Sequence, residues 1–321
     1  MEAFRGRWQS PLVPRSPVTV ALSGQYGVDD LDRLIVDLHP LLSLAETSPL
    51  TIDLRDLTFV YPTTAAVLAA GLHRAVALDL RQQNESRIVP PKDENVRNYL
   101  LRADVLQAGA GIEIDEPFVR QQSHGFRECR LFDTEDEATD VARELTQALE
   151  ERSKLDSTAR NAIYTCLGEL CFNVPHHAGS ETGGVASAQS YPQLHRFEAT
   201  IVDLGVGIRE SLRQNPSYAA LDSDVSAIET ALELGVTSKP GDKGPTRHSG
   251  YGLSVTQHLL QRNGGRLVIR SGRGEVHVGA DPIVAEREVD FPGTLVVMEA
   301  WTNTPLDVSV VYQELLGDLD E

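Results

Sequence analysis

A carboxylate and two glycines follow a strand-like segment in the second half of the chain. The strand reads EATIVD, and its last residue begins the run Asp203-Leu-Gly205-Val-Gly207. Glycines let a flat ligand approach the backbone closely, and an aspartate beside them can accept a hydrogen bond from an exocyclic amine. A dinucleotide fingerprint fits less well, because its third glycine is replaced by Glu210. Taken alone, the run also fits a simple two-glycine turn.

A second glycine pair, Gly250 and Gly252, directly precedes a helical pattern in RHSGYGLSVTQHLL. Free backbone N–H groups and the positive dipole end of a helix form an anion site there. The preceding stretch, GVTSKPGDKGPTR, is rich in the Gly, Pro, Lys and Ser residues that a mobile phosphate-covering loop needs. The chain has no GxxxxGK[ST] motif, so a P-loop is excluded.

Three polar side chains, Glu169, Asn173 and His177, recur at intervals of four residues in LGELCFNVPHHAG. In a helix this spacing puts all three on one face, where a core helix would carry leucine. Apolar residues flank this polar stripe, so we expect it to face a ligand or a partner. The helix is predicted to begin at Asp156 or Ser157, either of which is a good N-cap, and to end at Pro175.

The first part of the chain predicts a small α/β domain. After an irregular leader at residues 1–15, strand-like and helical patterns alternate over residues 16–110, as in PLTIDLRDLTFV followed by TTAAVLAAGLHRAVALDLRQQ. Residues 111–125 lack periodicity and are predicted to be a linker. The second domain is predicted over residues 126–302, with Gly264 closing a helix before the last strands. An acidic tail, residues 303–321, completes the chain.

Composition restricts the functional classes. A net charge of −18, concentrated after residue 120, repels phosphate backbones and argues against general nucleic-acid binding. Three cysteines without a CxxC pair indicate neither a disulfide framework nor a thiolate zinc site. No apolar run reaches the length of a signal peptide core or a membrane span, so we expect a cytoplasmic protein.

Considered in order, these motifs resemble those of a known superfamily. They are ExxxN on a helix, DxGxG after a strand, GxGL opening a helix, and Gly293-Thr294 entering a last strand. Over residues 126–302 this pattern resembles the GHKL superfamily, whose Bergerat-fold ATP-binding domain occurs in gyrase, chaperones, mismatch-repair proteins, sensor histidine kinases and anti-sigma-factor kinases. The stretch ELCFNVPHHA is most similar to the last two branches. The resemblance implies an α/β sandwich whose mixed sheet has helices on one face.

The resemblance also implies roles for individual residues. Asn173 corresponds to the asparagine that binds Mg²⁺ through its side-chain oxygen while ATP supplies further ligands, and Glu169 to the general base of hydrolysing members. Asp203 corresponds to the aspartate that reads adenine, and Thr294 to the hydroxyl that supports it. ATP and Mg²⁺ are therefore the expected cofactors.

The remaining motif residues act through the backbone in that family. Gly205 and Gly207 would make room for the adenine ring. Gly250 and Gly252, in a motif completed by Leu253, would present N–H donors to the phosphates.

Lys239 and Lys243 fall in the expected lid and would be phosphate contacts or solvated side chains. His177 falls where the anti-sigma-factor branch often has histidine, and both a packing and a catalytic role stay open.

The first domain has a resemblance of its own. Residues 16–110 are similar to the STAS domain of anti-sigma-factor antagonists, an α/β unit whose Asp-Ser-Ser-Gly turn carries a phosphorylatable serine. Here that turn reads Tyr61-Pro62-Thr63-Thr64, without the aspartate and the glycine. Thr63 or Thr64 would accept phosphate at a helix N-terminus or simply cap that helix.

These resemblances imply an ATP-binding regulatory protein whose lid state controls a protein partner, such as a STAS-domain protein. Phosphorylation of that partner on serine or threonine, as in anti-sigma-factor kinases, would make it an enzyme. Two alternatives stay open: a slow ATPase acting as a nucleotide-gated homodimer, and a non-catalytic ATP-binding module. After the last predicted strand there is no room for the transducer domain of clamp ATPases, and no phosphoacceptor helix of a sensor kinase is recognised.

Overall fold

A computed structural model describes residues 18–43, 49–79, 86–108, 113–114, 129–238 and 250–317. The predicted fold class, two α/β units, is confirmed: the N-terminal half contains a parallel four-stranded sheet and the C-terminal half a five-stranded sheet. Within these ranges, no helix is both long enough and apolar enough to cross a membrane.

The N-terminal half pairs its strands in chain order. They are β1 (Val18–Gly24), β2 (Leu50–Leu57), β3 (Arg87–Val89) and β4 (Glu113–Ile114). Its helices are α1 (Leu31–Leu42), α2 (Pro62–Asp79), α3 (Glu94–Arg102) and α4 (Val105–Ala108). β4 lies inside the segment predicted as a linker and adds a fourth strand to this sheet. The other residues predicted as linker, apart from these two, lie outside the described ranges.

The strands of the C-terminal half pair in the order β5-β6-β7-β9-β8. They are β5 (Cys129–Phe132), β6 (Gly184–Tyr191), β7 (Arg196–Asp203), β8 (Arg266–Gly279) and β9 (Ile283–Trp301). Every pairing in this sheet is antiparallel, so the expectation of a mixed sheet is wrong. The segments RLVIRSG and GEVHVG, predicted as two strands, form the single strand β8, with register shifts around Gly272.

Helices of the C-terminal half cover one face of its sheet. They are α5 (Glu135–Ser153), α6 (Ser157–Asn173), α7 (Gly207–Arg213), α8 (Asp224–Ala231), α9 (Gly252–Asn263) and α10 (Val308–Gly317). Because side chains alternate along a strand, β7 turns Phe197 and Ile201 toward this helical layer. The opposite face, which includes Val202, shares a hydrophobic core with the N-terminal half. Both faces of the sheet are therefore covered.

Thr63 and Thr64 lie at this contact between the halves, at the start of α2, and both are fully buried. The Thr63 hydroxyl donates to Glu198 Oε1 at 2.8 Å, and the Thr64 hydroxyl donates to the carbonyl oxygen of Tyr26 at 2.7 Å. Both hydroxyls thus bind groups outside α2 rather than capping it.

The helix ends of the C-terminal half match the sequence prediction at some positions and differ at others. Asp156 caps α6 as predicted, accepting from Ala159 N at 2.8 Å. Beyond Asn173 the chain coils on through Pro175 as a wider π-helical turn, Val174–Ala178, which stops at Gly179 with φ +55°. Residues predicted as an acidic tail include α10, whose Val311 is completely buried. Gly264 ends α9 in the left-handed conformation, as predicted.

Candidate functional site

A cavity lies where the carboxyl end of β7 meets the helical layer. The space between its walls is about 1000 Å³, a figure that includes solvent at its open mouth. Its walls come from segments that are far apart in sequence. The lining residues that carry predicted roles are Glu169, Asn173, Asp203, Gly207, Gly250, Gly252, Leu253 and Thr294. Gly205 does not appear among the lining residues, while Lys239 and Lys243 lie outside the described residues.

The predicted polar stripe forms one wall. Glu169 and Asn173 project from the last turns of α6, and the π-helical turn brings His177 to the same cavity. His177 Nδ1 lies 2.8 Å from the hydroxyl of Ser238, which joins this turn to the chain entering residues 239–249. His176 lies against Glu135, with Nε2 to Oε1 at 2.7 Å. Single-turn π-helices occur frequently at functional sites.

Asp203 is the buried carboxylate of the site, with 6% of its surface exposed. It is the last residue of β7 and pairs in register with Thr294 on β9. One of its oxygens, Oδ1, accepts from the Gly205 backbone N–H at 2.9 Å. Burial raises the pKa of Asp203 to about 7, although hydrogen bonds from the Gly205 and Thr294 backbones oppose this rise. A carboxyl held this way is ready to accept from a ligand donor that enters the cavity.

Backbone packing, rather than ligand clearance, explains the first glycine pair. A Cβ on Gly205 would lie 2.0 Å from the carbonyl oxygen of Ala178, which itself accepts from the Val206 N–H at 2.8 Å. Gly207 has φ +77°, and a Cβ there would lie 2.9 Å from Ser271 Oγ. Gly205 thus lets the turn after Asp203 pack against the π-helical turn, and Gly207 lets it pack against β8.

The second glycine pair sets the position of α9. Gly250 has φ +77°, and a Cβ there would lie 2.3 Å from the carbonyl oxygen of Val236. Gly252, the first residue of α9, lies so close to α6 that a Cβ would be 2.7 Å from Glu169 Oε2. The N-terminus of α9 therefore faces the cavity directly beside the Glu169 carboxylate.

The sequence did not predict a role for two serines at the site, Ser238 and Ser271. Ser238 was seen only as part of a Ser- and Gly-rich stretch. Ser271 lies on β8, where nothing in the sequence distinguished it. Its hydroxyl accepts from Ile208 N at 2.9 Å and donates to the Gly293 carbonyl oxygen at 2.8 Å. It thereby ties the glycine turn to the strand that carries Thr294.

The donor set at the α6 wall fits a hard divalent cation that takes few protein ligands. Asn173 offers an amide oxygen one helical turn from the Glu169 carboxylate. In the described part of the chain, no group of three or more His, Cys, Asp or Glu side chains is arranged to hold a metal alone. Such an ion would need further oxygens from a bound phosphate, a coordination that suits Mg²⁺.

Comparison with known proteins adds no family assignment: no protein-family model matches the chain, and the search of curated proteins returned no match.

Proposed function

We propose that this chain is a cytoplasmic, Mg²⁺-dependent ATP-binding regulatory protein of the GHKL type, in which bound nucleotide controls a protein partner. One observation carries the proposal. The ExxxN, DxGxG, GxGL and Gly-Thr motifs, separated widely in sequence, all contribute to one cavity. Each motif alone is common, but their meeting at one site is what an ATP pocket requires.

The proposed pocket divides into a base end and a phosphate end. At the base end, the Asp203 carboxylate accepts from the adenine amine, supported by Thr294 across the β7–β9 pairing. At the phosphate end, the N-terminus of α9 offers backbone N–H groups, and Asn173 supplies one oxygen to Mg²⁺. Bound Mg²⁺ would neutralise charge on the phosphates.

The position of Glu169 favours a catalytic site over one that only binds nucleotide. Its carboxylate lines the cavity one turn from Asn173 and beside the first residue of α9. A carboxylate in that place can accept the proton of an attacking water or hydroxyl group. Transfer to a serine or threonine of a partner and slow hydrolysis by a nucleotide-gated dimer both use this group, whereas a non-catalytic module does not need it.

The acceptor of a transferred phosphate would belong to another protein. Thr63 and Thr64, the residues aligned with the STAS phosphorylation turn, are buried and hydrogen-bonded. Thr63 also lies on the face of the sheet opposite Ile201 and Asp203, which line the cavity. A free STAS-domain protein or another regulator is the partner that this arrangement favours.

Two measurements test the proposal. Titration calorimetry with Mg²⁺ and ATP is expected to show one site per chain, and no heat of binding would refute the nucleotide assignment. Incubation with γ-³²P-ATP, alone and together with a native-cell extract, then separates the alternatives: label on an extract protein that depends on this chain supports the kinase, free phosphate released by the chain alone supports the ATPase, and the absence of both results supports the binding module.

Replacing Glu169 with glutamine removes the proposed base but keeps the size of the side chain. We expect phosphoryl transfer or hydrolysis to fall about a hundredfold or more, with ATP affinity within a few-fold of wild type. Single-turnover rates with γ-³²P-ATP measure the first quantity and calorimetry the second. Equal rates in the two proteins would remove the catalytic role of Glu169.

A further inference from the structure

A row of polar residues crosses the face of the five-stranded sheet that contacts the N-terminal half. Gln189 on β6 pairs in register with Glu198 on β7, Glu198 pairs with Glu299 on β9, and Glu299 pairs with Arg266 on β8. We call these four residues the seam row. On the same face, Val202, Val268 and Val297 belong to the hydrophobic core shared with the N-terminal half.

The N-terminal half contacts the seam row along its length. Tyr99 on α3 donates its hydroxyl to Gln189 Oε1 at 2.9 Å. Thr63 donates both its hydroxyl, at 2.8 Å, and its backbone N–H, at 3.2 Å, to Glu198 Oε1. At the other end, Arg266 reaches Asp29 Oδ1 at 2.6 Å, although the Asp29 side chain is largely exposed. Three of the four seam-row residues are thus hydrogen-bonded to the N-terminal half.

Arg266 of the seam row and Arg196 beside it pair with Glu299 rather than with Glu198. Arg196 Nη1 lies 2.7 Å from Glu299 Oε1, and Arg266 Nη2 lies 2.6 Å from Glu299 Oε2. Glu198 is 1% exposed and has no ion pair among the described residues. Its Oε2 atom is also without a hydrogen-bond partner there. The residue directly opposite Glu198 is therefore a second carboxylate, one that already has its cations.

We propose that Glu198 carries a proton when the two halves are docked, and that rising pH, which removes this proton from a solvated Glu198 more readily than from the buried one, weakens the docking of the two halves. An ionised carboxylate that is buried without a cation is strongly unfavourable, whereas a neutral carboxyl can still accept from Thr63 through Oε1. Gln189, Thr63 and Thr200, which also lie beside Glu198, are uncharged and cannot replace a cation.

The direction of the pH effect follows from the pKa. Burial raises the pKa of Glu198 to about 7 from an ordinary value of 4.5, and Glu299 adds to the rise, while Thr63 and Arg196 oppose it. The docked protein then keeps a proton that an undocked, solvated Glu198 releases. Docking is accordingly strongest below about pH 4.5, weakens as the pH rises to about 7, and changes no further above that value.

Hydrogen exchange at the Thr63 amide tests this device in the full-length chain. In wild type, we expect its protection factor to fall by about tenfold per pH unit between about pH 5 and 7 and then to level off. Glu198→Gln, which mimics the neutral carboxyl, should remove this dependence. Asp281→Asn, which changes an exposed carboxyl in the turn between β8 and β9, should retain it. A wild-type profile identical to that of Glu198→Gln would overturn the proposal.

A direct titration keeps the proposal testable even if Glu198→Gln does not fold. In wild-type protein labelled with ¹³C at glutamate carboxyls, one signal should titrate near pH 7. The absence of any glutamate carboxyl titrating above about pH 6 would overturn the proposal.

Discussion

Replacing Asp203 with asparagine is expected to lower the affinity for Mg²⁺-ATP by about a hundredfold while the protein stays folded. The amide keeps the shape of the side chain but loses the charge and one acceptor at a nearly fully buried position. A hydrogen bond to a charged group contributes about 1.5–3 kcal/mol, so its loss accounts for an effect of this size. Calorimetric titration with Mg²⁺-ATP measures the change.

The same substitution is not expected to destabilise the protein at neutral pH. Burial raises the pKa of Asp203 from 3.8 to about 7, so the folded protein holds a proton that the unfolded chain releases between these values. Wild-type stability therefore falls as the pH rises from about 4 to about 7, a loss that an uncharged asparagine avoids. Chemical denaturation at pH 8 should show the variant to be at least as stable as wild type.

Asp281→Asn provides a matched control. Asp281 is exposed in the turn between β8 and β9 with φ +55°, a conformation that asparagine tolerates. This control should bind ATP as wild type does. Unchanged affinity in a folded Asp203→Asn protein would mean that the cavity does not bind the adenine as proposed.

Gly205→Ala is expected to be strongly destabilising although it adds only one methyl group. The added Cβ would lie 2.0 Å from the Ala178 carbonyl oxygen and 2.7 Å from its carbonyl carbon, and backbone atoms cannot rotate away. Overpacking of this kind costs about 1–3 kcal/mol, and occasionally more. Urea denaturation measures the loss, and ATP binding should fail with it because Asp203 Oδ1 accepts from the Gly205 N–H.

The control for this change lies within α6. A Cβ on Gly168 would meet only Phe172 Cε2 at 3.8 Å, an ordinary contact. Alanine is favoured over glycine in a helix interior by about 1 kcal/mol, so Gly168→Ala should be neutral or stabilising. A Gly205→Ala protein as stable as the Gly168→Ala protein would show that backbone movement relieves the clash at Ala178.

Local signals explain what the sequence predicted well. The interval of four residues placed Glu169 and Asn173 on one wall, and Asp156 and Gly264 marked real helix ends, because helix periodicity and capping depend on neighbouring residues. Asp203 was placed correctly at a strand end because the strand-like run stops there and a turn with two glycines follows.

Long-range contacts explain what it did not predict. The bond between Thr63 and Glu198 joins residues that are 135 positions apart, and no local pattern marks such a pair. The antiparallel pairing of the second sheet and the packing of α10 depend likewise on tertiary contacts. Gly205 was recognised as important, but the carbonyl of Ala178 that requires it could be identified only in the folded chain.

Strand β7 places the docking contact and the nucleotide cavity on a single eight-residue segment. Glu198 faces the N-terminal half, and five residues later Asp203 ends the strand on the opposite face. If binding at one end changes the free energy at the other, the coupling must be reciprocal. If nucleotide binding changes the docking equilibrium of the two halves by some factor, then docking changes the nucleotide affinity by the same factor. Nucleotide binding and docking would then form one thermodynamic cycle.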